Sequence, residues 1–171
     1  MAMFSGLLDG MTFTVKSPDQ HVTCELADGR DMTMDVAAGR YRRYTERELE
    51  RQLSGLLTSF WSAHRQAHLM MLSELAGYTV RGGSQGGDRR ARDFVEERGA
   101  VRVDGKSASG RIALTATGMR NWSVRIKPDT VRTVDEETFL YDFWTAFTAA
   151  TNDYHRKVAE LKREITRHGF S

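Results

Sequence analysis

The chain has 171 residues, with 25 Lys plus Arg against 23 Asp plus Glu, so its formal net charge is only +2. Hydrophobic residues at 40% and charged residues at 28% make an ordinary globular balance, which excludes disorder over most of the length. One cysteine, Cys24, excludes an internal disulfide framework and a multi-cysteine zinc site. No apolar run approaches the ~18 residues of a membrane span, and Met1 to Met11 lack the charged start and long apolar stretch of a signal peptide. A cytoplasmic protein without a membrane partner is expected.

In chain order, Met11, Phe13 and Val15 alternate with Thr12, Thr14 and Lys16, the period-two signature of a half-buried strand. A turn at Ser17 to Gln20 follows, then a strand through Val22, Cys24 and Leu26. The Asp28-Gly29 pair suits a hairpin, because Asp-Gly tolerates positive φ. Met32, Met34 and Val36 complete a three-stranded meander. Thr45-Glu46-Arg47-Glu48 is a capping box, and behind it Leu49, Leu53, Leu56, Leu57, Phe60, His64, Ala67, Met71 and Leu75 recur at helical spacing.

Gly82 to Gly87 is a flexible linker by composition, and the charged stretch Asp88 to Gly99 predicts a short helix lying against the surface. The same order of elements then returns 90 residues later with no gap. Phe13 falls on Val103, Val22 on Ile112, Cys24 on Leu114 and Leu26 on Ala116. Met32, Met34 and Val36 fall on Trp122, Val124 and Ile126, with Pro128 stopping the strand. Thr45 falls on Asp135, another good N-cap, and Leu49, Leu53 and Leu57 fall on Phe139, Phe143 and Phe147. This predicts an α+β protein of two tandem units, each an antiparallel β-meander plus a long helix, over residues 11–77 and 100–168, joined by residues 78–99. Units of about 60 residues bury little core alone, so a pseudo-dimer within the chain or a true dimer is expected.

The segment Val103-Asp104-Gly105-Lys106-Ser107-Ala108-Ser109-Gly110-Arg111-Ile112-Ala113-Leu114-Thr115-Ala116-Thr117-Gly118 resembles the core of the YbaB/EbfC proteins. Val124-Arg125-Ile126-Lys127-Pro128 is similar to that family's strand end. Asp135-Glu136-Glu137 opens the long helix, and Ala149, Ala150, Asn152 and Asp153 match its Ala/Asn/Asp-rich stretch. The resemblance covers roughly residues 101–165 and more weakly 11–75. It implies a dimerising α+β fold and a nucleoid-associated role, binding double-stranded DNA with little sequence preference. The first copy, from Phe13 to Val22, also resembles the YbaB-like accessory proteins of actinobacterial type VII secretion. That implies the alternative of a cytosolic accessory or chaperone protein binding a protein partner.

The charge distribution bears on this choice. Residues 1–80 carry 8 basic and 10 acidic side chains, whereas residues 81–171 carry 17 basic and 13 acidic. A polyanion surface therefore belongs to the second half. Residues pointing away from its strand stripe are Arg102, Arg111, Arg125 and Lys127, with Asp104 the acidic member, while Arg89, Arg90 and Arg92 cluster beside the linker. These seven basic residues are the expected DNA contacts. The matching face of the first copy carries Lys16, His21, Glu25, Asp31 and Asp35. Further basic groups are Arg40, Arg42 and Arg43, with Tyr41 and Tyr44 as packing residues, and Lys157, Lys162, Arg163 and Arg167. Leu69, Met70, Met71 and Leu72 broaden the apolar stripe of the first helix, either as a face buried between halves or in a dimer, or as a partner-binding surface.

Other features reduce to structure. His64 and His68 sit one helical turn apart, yet Arg65 occupies the place of the metalloprotease Glu and no third ligand follows, so no metal is expected. Gly105-Lys106-Ser107 has the tail of a phosphate loop without its leading glycine, which is Ala100. Cys24 lies on an apolar strand face, as expected of an inert thiol. Trp61, Trp122, Trp144 and Phe60 are expected in the core. No carboxylate pair or triad indicates an enzyme, and no cofactor is expected.

Overall fold

The computed structural model describes residues 12–27, 31–76 and 89–167, with backbone alone for 68, 69, 71–76 and 89–91. The chain divides into two compact units, Met1–Gly82 and Gly83–Ser171. Met11 of the first expected strand, the Asp28-Gly29 turn and the Gly82 to Gly87 linker lie outside the described residues. What is described is α+β: two three-stranded antiparallel sheets and four helices.

The first unit contains β1 (Phe13–Lys16), β2 (Val22–Ala27) and β3 (Asp31–Val36), in that spatial order. A single 3-10 turn at Tyr41–Arg43 leads into α1 (Glu46–Ala76). Strand register sets Phe13 opposite Leu26, and Cys24 opposite Val15 and Met34. Val22, Cys24 and Leu26 thus share one face, and Leu49, Leu53, Leu56, Leu57 and Phe60 are buried with them. Burial pushes the Cys24 thiol up to about 12, which keeps it protonated and unreactive. The Thr45 hydroxyl accepts the Glu48 N–H at 3.2 Å while the Glu48 carboxylate accepts the Thr45 N–H at 2.9 Å, closing the capping box.

The second unit begins with α2 (Arg89–Ala100), which packs against the last helix. It continues through β4 (Arg102–Lys106), β5 (Ile112–Thr117), β6 (Ser123–Ile126), the short α3 (Thr130–Thr133) and α4 (Glu136–Arg167). Val103, Ile112, Leu114, Ala116, Val124 and Ile126 are buried against Phe139, Phe143, Ala146, Phe147 and Ala150. Trp122 precedes β6 rather than opening it, and its buried indole N–H donates to the Met119 carbonyl at 3.2 Å. Trp144, expected in the core, is 37% exposed: it sits at the margin of the apolar stripe, one turn from Phe147, whose ring it faces at 6.1 Å. Tyr141 lies beyond it at 65% exposure.

Elements of the two units correspond at the 90-residue offset: β2 and β5 coincide, as do the starts of α1 and α4. The turn before each central strand is built on the same serine bonds. Buried Ser17 takes the Val22 N–H on its hydroxyl at 3.0 Å, and buried Ser107 takes the Ile112 N–H at 3.0 Å. Each turn then needs a left-handed residue, Gln20 (φ 65°) and Gly110 (φ 73°). The helix seats differ. In the second unit the helix backbone touches the strand at Gly105, where a Cβ would collide with the Ala146 carbonyl and lie 2.7 Å from the Ala150 Cβ. In the first, Val15 stands in that place, and the tight contact moves to Gly55, where a Cβ would lie 2.6 Å from Pro18 Cγ.

Substituting Gly105→Ala should therefore push α4 off β4 and destabilise the second unit by about 1–3 kcal/mol. Gly99→Ala, where a Cβ meets nothing within 4 Å, should leave the unfolding free energy unchanged or raise it by up to about 1 kcal/mol, alanine being the better helix former. Equal effects from the two would show that the close seat is not there.

Candidate nucleic-acid interface

The outward face of the second sheet follows from its alternation. Helix α4 covers the Val103, Gly105 and Leu114 side, so the intervening residues face away from it. Register places Lys106, Ala113 and Arg125 in one row across the three strands, and Asp104, Thr115 and Ser123 in the next. Arg102 pairs with Thr117, and Lys127 follows β6, its N–H donating to the Arg111 carbonyl at 2.9 Å. Arg102, Lys106, Arg125 and Lys127 are all exposed. Among the described residues none of their four side chains is paired with a carboxylate, and Asp104 is the only acidic residue on the face. Neighbouring strands lie about 4.8 Å apart, and the small residues Ala113, Thr115 and Ser123 leave the long cations free to extend.

Arg111 is placed differently from the other expected contacts. Its Nη1 lies 3.1 Å from the Asp142 carboxylate, whose side chain is only 6% exposed. Parity alone sets Arg111 outward, but it sits at the hairpin end and reaches round to α4, where it neutralises a buried acid. Freeing it for phosphate would leave Asp142 buried and unpaired, a costly exchange. Lys157 is likewise held in place. Its ammonium donates to the Arg102 carbonyl at 2.7 Å and to Asp153 at 2.7 Å. Asp153 in turn accepts the Asp104 N–H at 3.1 Å and an Arg156 bond at 2.7 Å. The free edge of β4 is thus satisfied by side chains of α4, which fixes the strand carrying Arg102 and Lys106. Desolvation raises the Asp153 pKa, but the bonds from Lys157, the Asp104 N–H and Arg156 outweigh it and hold the carboxyl below its ordinary value.

Of the remaining basic residues, Arg92 is exposed on α2, while Arg89 and Arg90 open that helix with side chains outside the described set. Lys162, Arg163 and Arg167 line a shallow 490 Å³ depression near the end of α4. Arg42 lies over the Tyr41 ring at 5.7 Å, and Arg40 and Arg43 line a polar cavity of the first unit. The matching sheet face of that unit is acidic, with Glu25, Asp31 and Asp35 exposed against Lys16. On α1, Met70 is 59% exposed, and the side chains of Leu69, Met71 and Leu72 lie outside the described set.

Lys106 was absent from the expected contacts because it reads first as the tail of a phosphate loop. The alternation Arg102, Asp104, Lys106 is the signal that finds it. Asp142 carries no local signal, since Arg111 lies 31 residues away; Asp153 is announced by Arg156 and Lys157 three and four residues on, but not by the Asp104 N–H, 49 residues away.

No protein-family model matches the chain, and no curated protein matches it.

Asp153 makes the second unit acid-sensitive. A carboxyl whose folded pKa is depressed stabilises the fold above its unfolded value, 3.8, and that stability is lost as the pH falls through the lower folded value. Asp153→Asn should lower stability at pH 7 by roughly 1 kcal/mol, and flatten the loss below pH 4 relative to wild type. An unchanged acid limb in urea unfolding would refute this role.

Proposed function

We propose that the chain is a tandem pair of YbaB-like units that binds duplex DNA through phosphate contacts, with little sequence preference and without catalysis. The observation that carries this reading is the outer face of the second sheet, where Arg102, Lys106, Arg125 and Lys127 stand exposed around small neutral residues. Such a face has cations to displace counterions along a duplex. Cations spread over an open strand face contact phosphates, which carry no sequence information. Arg92 on α2 adds to the same electrostatic sign. The acidic face of the first unit is repelled by DNA, so binding belongs to one unit.

A second reading, an accessory protein for a protein partner, is favoured by Met70, an exposed flexible apolar side chain on α1.

Fluorescence anisotropy of the full chain with an arbitrary-sequence labelled duplex tests the first reading. Four phosphate contacts give a log–log salt slope of about −3.6, with affinity nearly unchanged when the sequence is scrambled. Arg125→Gln with Lys127→Gln should reduce the slope by about 2. Absence of binding at low salt would refute DNA as the ligand and leave the protein-partner reading.

A further inference from the structure

We infer that the first unit holds a separate site for a small dianion of the phosphate class, in the polar cavity between the Ser17 to His21 turn and the start of α1. The cavity has a volume of 310 Å³ and is lined by Asp19, His21, Arg40, Arg43, Tyr44, Glu48, Arg51 and Gln52. Arg40 and Arg43 bracket the 3-10 turn and Arg51 comes from the second turn of α1, so three exposed guanidinium groups line one depression.

The two carboxylates in the cavity are already engaged. Asp19 accepts the Ser17 hydroxyl at 2.6 Å, the His21 N–H at 3.1 Å and the Tyr44 hydroxyl at 2.6 Å. Glu48 accepts both the N–H and the hydroxyl of Thr45. Among the described residues no carboxylate forms an ion pair with Arg40, Arg43 or Arg51. The Asp19 N–H donates to Gln52 Oε1 at 2.9 Å, which leaves the Gln52 amide hydrogens available as donors. Cations thus outnumber acids in the cavity, and neutral donors bond both acids, with the Arg51 charge also near enough to attract Glu48. Planar guanidinium forks match carboxylate and phosphate oxygens bidentately, and three of them around one depression favour an anion of double charge. The volume accommodates an anion between inorganic phosphate and a nucleoside monophosphate.

The second unit shows that the fold does not require this arrangement. At the matching positions, 90 residues on, Arg40, Arg43 and Arg51 are replaced by Thr130, Thr133 and Tyr141. The place of Gln52 is taken by Asp142, paired there with Arg111. One unit closes this corner with an internal ion pair, and the other keeps it open and cationic.

Isothermal titration of the full chain with pyrophosphate and with inorganic phosphate, at constant ionic strength, tests the site. One saturable site is expected, weakened about tenfold by Arg40→Gln and about a hundredfold by Arg43→Gln with Arg51→Gln. All three positions are exposed, and an unchanged urea midpoint shows that the variants are folded. Arg125→Gln with Lys127→Gln should leave phosphate binding intact, and Arg43→Gln with Arg51→Gln should leave duplex binding intact, which separates this site from the DNA face. No saturation below about 10 mM, or saturation that survives both arginine variants, overturns the inference. So does a parallel loss of duplex affinity in Arg43→Gln with Arg51→Gln, which would assign these arginines to the DNA path.

Discussion

The second unit depends on how closely α4 approaches β4. Gly105 has no side chain, so the helix backbone at Ala146 and Ala150 can rest directly on the strand. That seat brings the next two turns of α4 level with the strand edge, where Asp153 and Lys157 meet the Asp104 N–H and the Arg102 carbonyl. An edge satisfied in this way is closed to other strands. It also fixes which side of β4 is covered, and hence that Arg102 and Lys106 face away from the helix. The basic face is therefore a consequence of packing on the opposite side of the sheet. The first unit seats its helix by another route: Ala63 and Ala67 stand where Asp153 and Lys157 would be, and the tight contact is between Gly55 and Pro18.

Much of this was legible in the sequence because it is local. Period-two alternation located the described strands, the Thr45 to Glu48 box located the start of α1, and Asp135 caps α4 through its carboxylate on the Thr138 N–H at 2.7 Å. The 90-residue correspondence was readable because buried positions constrain residue type, and the paired turns at Ser17 and Ser107 use the same hydroxyl acceptor. What was not legible depends on distance along the chain or on the margin of a stripe. Arg111 was read outward by parity, since nothing near it announces Asp142 on a later helix. Trp144 was read as core because hydrophobic spacing identifies a stripe but not its edges. Arg40 and Arg43 read as part of a basic cluster before the first helix, and nothing in the sequence singles out Arg51. They become one lining only when the Ser17 to His21 turn closes over them.

The two sheets have outer faces of opposite sign on matching frames. The row Lys16, Thr23 and Asp35 of one becomes Lys106, Ala113 and Arg125 in the other, and Glu25 becomes Thr115. None of these exchanges touches the core, so each face could change sign without cost to the fold. The near-zero net charge of +2 therefore hides two faces that respond to salt in opposite senses. Under the proposed DNA binding, a polyanion is drawn to the one face and repelled by the other. On that same proposal, neutralising Glu25 or Asp35 to the amide raises affinity without creating a contact, because it removes repulsion alone.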